Sequence, residues 1–382
     1  MHIAELYPGA DLHRTEKVLS ARFSSPQTVL STGGINGGAA AGITRICNCQ
    51  VSEPNGHDGL FADHPGIPQL AAYFSKKENI PIEKTAFLFT AANMNNAVWK
   101  TEASPGGTAA AVCTAGTSGN AVRAGDPASY YEEDGRFYSF GTINLIVAVS
   151  RPFSPGARCK AVVTATEAKT AALQELQVGS NYSSGLATGT GTDQIAVASP
   201  AAAEQADAEV EISDAGTHAK WGEMIARACK AAVKEALELQ DGMTPVQRGY
   251  AVELLSRYGV SSGMFCERIG RYLSGETQKL LVGNLESLQR DCLVSSALSS
   301  LLHVFDLAGW GGLPPGCRRE ALLQSAAGLA RAVAGSGCFR EDVIPQLQEN
   351  STAEEEVAGD NSGPLLEIIF RAFALGLEKR WK

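Results

Sequence analysis

The chain carries no surplus of positive charge. Its 32 Lys+Arg stand against 41 Asp+Glu, a net charge of −9, which argues against nucleic acid as a partner. Charged residues are sparse at 19%, while 44% of the chain is hydrophobic, the balance of an ordinary globular protein. No apolar run approaches the ~20 residues a membrane span needs, so none is expected. The first residues, Met1-His2-Ile3-Ala4-Glu5, show no basic segment followed by an apolar one. No export signal is expected from them, and a cytoplasmic location is. Nine cysteines include no CxxC pair; the odd number and the spacing predict reduced thiols rather than a disulfide framework or a structural zinc site. Cys47 and Cys49, two apart, would share one face of a strand. The lysine–serine/threonine ending of a P-loop is also missing, which weighs against a nucleotide cradle.

What the chain has instead is a run of threonine and glycine, Thr188-Gly189-Thr190-Gly191-Thr192-Asp193. Glycine lets the backbone approach a bound group and turn its N–H donors outward. The hydroxyls of Thr188, Thr190 and Thr192 add donors and acceptors, and Asp193 adds a charge. Ile195-Ala196-Val197-Ala198 then reads as a strand leaving the loop.

Residues 1–243 alternate short apolar strands with helices. Thr28–Ser31, Ile43–Val51, Ala86–Thr90, Ala109–Thr114 and Ile143–Val149 read as strands, and Pro68–Lys77 as a helix. Ser154-Pro155 is a start signal for a helix to about Leu176, with Ala161, Ala165, Ala168, Ala172 and Leu176 in one stripe. A second helix opens near Thr217, carries Trp221, Ile225, Ala228, Ala232, Ala236 and Leu239 at helical spacing, and ends near Gly242. Several strands follow one another without long helices, which favours an α+β fold, a mixed sheet with packed helices, over a doubly wound one. Residues 244–382 change texture: helical segments at 245–258, 276–308, 317–334 and 364–381, with an acidic linker over 349–362. This is an all-helical extension of unreadable role, whose last segment is expected to dock on its own domain or on a second copy.

Five neighbourhoods carry a family likeness. They are Thr114-Ala115-Gly116-Thr117-Ser118-Gly119-Asn120 with Arg123-Ala124-Gly125-Asp126-Pro127; Gly141-Thr142-Ile143-Asn144; Thr164-Ala165-Thr166-Glu167-Ala168-Lys169-Thr170; the Gly/Thr loop; and Gly216-Thr217-His218-Ala219-Lys220-Trp221-Gly222-Glu223. In this order they resemble the adenosylcobinamide amidohydrolase family of corrinoid salvage, over residues 15–240. The resemblance implies hydrolysis of the amide joining the corrin ring to its aminopropanol arm. It also implies a corrinoid as the small-molecule partner, with its cobalt arriving in the substrate and no cofactor of the protein's own. The order of strand, Ser-Pro helix, Gly/Thr/Asp loop and strand also loosely resembles ornithine acetyltransferase-like proteins, which implies an αββα sandwich.

The resemblance assigns no catalytic residue, so roles follow from chemistry. Amide hydrolysis needs an activated water or nucleophile, a stabilised oxyanion and a proton for the leaving amine. Glu167, amid alanines and threonines, is the expected general base if burial raises its pKa; a structural ion pair with its neighbours is the competing account. His218 at a helix N-terminus is favoured as neutral imidazole. Lys220 opposes the helix dipole there, and such a misfit points to function as an oxyanion donor; a surface pair with Glu223 is the bland reading. Asp193 would orient His218 or hold the aminopropanol hydroxyl, or else cap a turn. Asn36, Asn120, Arg123, Asp126 and Asn144 are candidate readers of corrin-edge amides; against this, asparagine and aspartate beside glycine are ordinary turn formers. Lys169, Thr188, Thr190, Thr192 and Glu223 complete the substrate-binding set. Cys113 with His218 as base is a nucleophilic alternative, and His57, Asp58, Asp63 and His64 form a metal-like run that reads better as a surface loop. A corrinoid carrier without catalysis is the rival function.

Overall fold

The computed structural model describes residues 1–52, 60, 63–128, 142–201, 210–335, 343–348 and 362–381. The chain divides into two compact units, 1–182 with 186–244 and 183–185 with 245–382.

In the first unit, β1 (His2–Tyr7), β2 (Ala10–Arg14), β3 (Val18–Ser31) and β4 (Gly38–Gln50) follow one another as antiparallel neighbours. Helix α1 (Ile67–Glu78) precedes β5 (Thr85–Thr90), which pairs parallel with the end of β4. Next come β6 (Val98–Ser104), β7 (Gly107–Ala115), the short β8 (Ala121–Val122) and β9 (Ile143–Val149), then α2 (Pro155–Glu175), β10 (Gly189–Thr190), β11 (Gln194–Pro200) and α3 (Lys220–Asp241). The order β1-β2-β3-β11-β9-β7-β6 runs through one mixed sheet, with β4 and β5 joined through β3. β3 turns the corner: residues 19–23 pair with β2 and residues 27–31 with β11, and its register with β4 shifts between them.

The bend folds the sheet over a core of its own. Leu12, Leu19, Ile46 and Leu88 on one side meet Val112, Ile146, Ala148 and Ala196 on the other, all buried. Alternation then aims the remaining side chains outward. Cys113, Leu145, Val147 and Val197 pack under α2 and α3, while Cys47, Cys49, Phe87 and Phe89 pack under α1. The layers are therefore α–β–β–α.

Local signals explain most of these elements. The Ser154 hydroxyl accepts from the Ala157 amide and Pro155 opens α2; Gly242 closes α3 in the left-handed region. The small stripe of α2 lies buried on the sheet, but Leu239 of α3 is 53% exposed. α3 begins at Lys220 rather than near Thr217. β1, β2 and β6 add strands the sequence pattern does not announce, and β3 and β4 run longer than the apolar segments that mark them.

The second unit is helical: α4 (Pro245–Arg248), α5 (Ala251–Leu255), α6 (Ser262–Gly270), α7 (Gly275–Gln289), α8 (Cys292–Gly309), α9 (Pro315–Ala334), α10 (Ile344–Gln348) and α11 (Gly363–Arg380). The expected helix over 276–308 is two helices, because the Asp291 carboxylate accepts from the Leu293 and Val294 amides and starts α8 afresh. α11 buries Leu365, Ile368, Ile369, Phe373 and Leu377 in the core of this unit. α8 meets the length and composition of a membrane-crossing helix, and it places Val294, Leu298, Leu301 and Leu302 in that same core. The acidic segment 349–361 lies outside the described residues.

Candidate active site

The Gly/Thr loop sits where β9 and β11 begin, and Asp193 organises it. Its carboxylate accepts from the Thr190 amide at 3.0 Å, the Thr190 hydroxyl at 2.5 Å and the Ile143 amide at 2.9 Å. The Lys169 ammonium, reaching in from α2, completes the set. Both charges are nearly buried, with side-chain exposures of 7% and 11%. Gly189 is required by this arrangement: a Cβ there would stand 2.4 Å from Asp193 Oδ2 and 2.6 Å from Lys169 Nζ. Asp193 thus pairs with Lys169, and not with His218 as one reading of the sequence had it.

The threonines divide their work. The Thr188 hydroxyl accepts from the Ala124 amide at 2.8 Å, and the Thr188 carbonyl accepts from Thr170 Oγ1. The Thr192 and Thr142 hydroxyls share a bond of 2.5 Å. Asn120, buried, donates to Thr192 at 3.4 Å and accepts from the Tyr182 hydroxyl at 3.2 Å. Asn120, Thr142, Tyr182 and Thr192 therefore form one polar group at the loop.

One step inward along the strands lies a second group. Asn144 donates to the Asn48 carbonyl oxygen at 2.8 Å and to the Phe89 carbonyl at 2.9 Å. Asn48 donates in turn to Thr114 Oγ1 at 2.8 Å. Gln194, beside Asn144 in the register of β9 and β11, accepts from the Phe89 amide at 2.8 Å. Both backbone groups of Phe89 are thus held by side chains from the opposite layer. Alternation places Thr114, Asn144 and Gln194 on the inter-sheet face, and Asn48 faces them from β4.

The other sequence candidates lie elsewhere. Glu167 is exposed on α2, which removes the burial that would have made it a base; Lys169, two residues on, is the buried one. His218 is exposed ahead of α3. Neither the Glu167 nor the His218 side chain has a hydrogen-bond partner among the described residues. Lys220 bonds Glu223 at 2.9 Å, Arg227 bonds Glu223 as well, and the Lys220 side chain is 57% exposed. Lys220 holds the Glu223 carboxyl below the usual range, and the apparent misfit with the helix dipole is a surface ion-pair ladder. Asn36, with φ at 50°, ties its side chain to the Ile82 and Thr85 carbonyls at 2.7 Å, the turn-forming account. Asp126 accepts from the Arg123 amide and from the Ser180 hydroxyl, and Arg123 donates to the Leu186 carbonyl. These bonds shape the wall beside Asn120. Cys113 faces the helix layer, and burial pushes its thiol well up, which disfavours the thiolate a nucleophile needs. His57 and Asp58 lie outside the described residues, and no metal-holding group of His, Cys, Asp or Glu occurs among the described ones.

Sequence reasoning missed Asn48, Thr114, Thr142 and Tyr182 as members of this site. Asn48 was legible in principle, since it alternates with buried cysteines in Cys47-Asn48-Cys49 and so needs a partner inside.

Comparison with known proteins adds an independent line. A chain from Methanocaldococcus jannaschii, described as an uncharacterized protein, is 39% identical over 178 residues, covering 43% of this chain and 67% of that one. Among solved structures, a Pyrococcus horikoshii OT3 protein aligns at 11% identity over 62% of this chain and 82% of that one, with a TM-score of 0.31. The L-aminopeptidase D-Ala-esterase/amidase of Ochrobactrum anthropi aligns at 12% identity over 68% and 91%, with a TM-score of 0.28. The family model of adenosylcobinamide amidohydrolase matches residues 3–245, a span that holds the Gly/Thr loop and both polar groups, and the chain belongs to that family.

Proposed function

We propose that this chain hydrolyses the amide joining the corrin ring to the aminopropanol arm of adenosylcobinamide. Water adds across the C–N bond, giving adenosylcobyric acid and 1-amino-2-propanol. The observation that carries the reading is the family match over residues 3–245, which contains the whole site. The loop from Thr188 to Asp193 takes the arm. Lys169 and Asp193 hold that loop rigid from the helix side, so its hydroxyls meet the substrate without reorganising. The hydroxyls of Thr142 and Thr192 and the amide of Asn120 are the donors and acceptors placed to orient the amide. Cobalt arrives with the substrate, and the reaction belongs to the cytoplasm.

Incubation of the purified chain with adenosylcobinamide, followed by mass spectrometry, tests this. Both products are expected. Intact substrate with a shifted visible spectrum would make the protein a corrinoid carrier; neither product nor shift would remove the corrinoid altogether.

A further inference from the structure

The inter-sheet group of Thr114, Asn48 and Asn144 is directed. The Phe89 carbonyl can only accept, so the Asn144 atom 2.9 Å from it is the amide nitrogen. That nitrogen also donates to Asn48, so the atom of Asn48 facing it is oxygen, and the Asn48 nitrogen faces Thr114. Two groups are left over. Thr114 Oγ1 accepts from Asn48, and its own O–H has no acceptor among the described residues. Asn144 Oδ1 is buried without a partner. Both residues are 1% exposed, and a buried polar atom without a partner loses the hydrogen bonds that water would give it.

These leftovers are neighbours. Thr114 and Asn144 are register partners across β7 and β9, which sets their Cβ atoms about 4.5–5.5 Å apart. One oxygen with hydrogen bonds of about 2.7 Å to each side reaches both. The pair presents one donor and one acceptor. A carboxylate has no hydrogen for Asn144 Oδ1, and an ammonium has no lone pair for the Thr114 O–H. A carboxamide would bring a second N–H to be satisfied. A hydroxyl matches one for one. The position lies one same-face step inside Thr142, whose hydroxyl meets Thr192 of the Gly/Thr loop.

We propose that Thr114 and Asn144 bind the secondary hydroxyl of the aminopropanol arm, the Thr114 O–H donating to it and Asn144 Oδ1 accepting from it. This rests on the reading that the arm enters this site. It makes Thr114 and Asn144 substrate-positioning residues and makes the hydroxyl, not the corrin edge, the feature that selects the arm.

The test compares adenosylcobinamide with a counterpart whose arm is n-propylamine, on the full-length chain, reading kcat/KM by product release and Kd by the visible spectrum. The wild type should favour the hydroxylated arm by about tenfold or more, since sites built around a hydroxyl reject analogues lacking it. Thr114→Val should abolish that preference and Thr114→Ser should keep it. Equal treatment of the two arms by the wild type overturns the proposal. So does Thr114→Val weakening both arms alike, which would assign the pair to an internal water or to the fold alone. If neither arm is hydrolysed, the hydrolase reading falls by itself, and binding decides the proposal. A Thr114-dependent preference in Kd upholds it, and its absence overturns it.

Discussion

At the scale of single residues, the charge that matters is the one the helix hides. Lys169 and Asp193 are nearly buried and bonded to each other, so removing either strands the other in a poorly solvated place. Lys169→Met is expected to cost about 3–5 kcal/mol, the usual penalty for breaking a buried pair, and to slow turnover steeply as the loop loses its anchor. Chemical denaturation checks the first and steady-state kinetics the second; stability within about 1 kcal/mol of wild type would remove Lys169 from this role. Glu167 and His218 stand on the opposite footing. Both are exposed, and their alanine variants should keep kcat within about threefold, because surface substitutions rarely reach a distant site. A hundredfold loss in either, with folding intact, would return the acid–base chemistry to the helix layer. The sequence showed Glu167 and Lys169 as equals amid alanines and threonines. The phase of α2 against the sheet separates them, and the stripe of Ala161, Ala165, Ala168, Ala172 and Leu176 carries that phase: Lys169, four residues after Ala165, falls on the buried side and Glu167 away from it.

At the scale of elements, start and stop signals carried the reading furthest. Ser154-Pro155, Gly242 and the β-branched run of β9 mark boundaries that the structure keeps nearly to the residue. β1, β2 and β6 were not legible, because His2, Glu5, Lys100 and Glu102 interrupt the apolar pattern on strands at or near the sheet margin. The outer layer is packed through its apolar core, and an exposed ion pair adds to it: Glu175 at the end of α2 bonds Lys230 and Lys234 of α3, each at 2.8 Å. The bonds to Lys230 and then Lys234 hold its carboxyl below the ordinary 4.5. A carboxyl depressed on folding stabilises fully above its unfolded value, and the contribution disappears as pH falls through the folded one. Glu175→Gln should therefore lower Tm at pH 7, with the gap closing below about pH 4.5. The gap should also shrink in 1 M salt, because the group is solvent-accessible. Thermal scans across pH settle it: a gap that persists unchanged at pH 3 would show that the carboxylate charge is not what joins α2 to α3.

At the scale of the whole molecule, the chain contains two units of different grammar. The family match ends at residue 245, and the helical unit begins in the same neighbourhood. The change in texture was legible in the sequence because glycine–threonine loops and β-branched runs give way to helical periodicity. The sandwich's bend at β3 was not, since a strand that changes partners along its length reads locally like any other. The helical unit's apolar faces close on themselves: Phe373 is fully buried and meets the Phe265 ring edge-on at 4.9 Å. Phe373→Ala is expected to destabilise that unit by about 3–5 kcal/mol through lost burial and a cavity. Every residue assigned here to the chemistry lies in the first unit, so the variant should hydrolyse adenosylcobinamide at the wild-type rate at temperatures where the first unit remains folded. Calorimetry should show the loss confined to one transition, with kcat measured below it. A fall in kcat that tracks the helical unit's unfolding would make that unit part of the enzyme and not an addition to it, and the search for proton carriers would then extend to its helices.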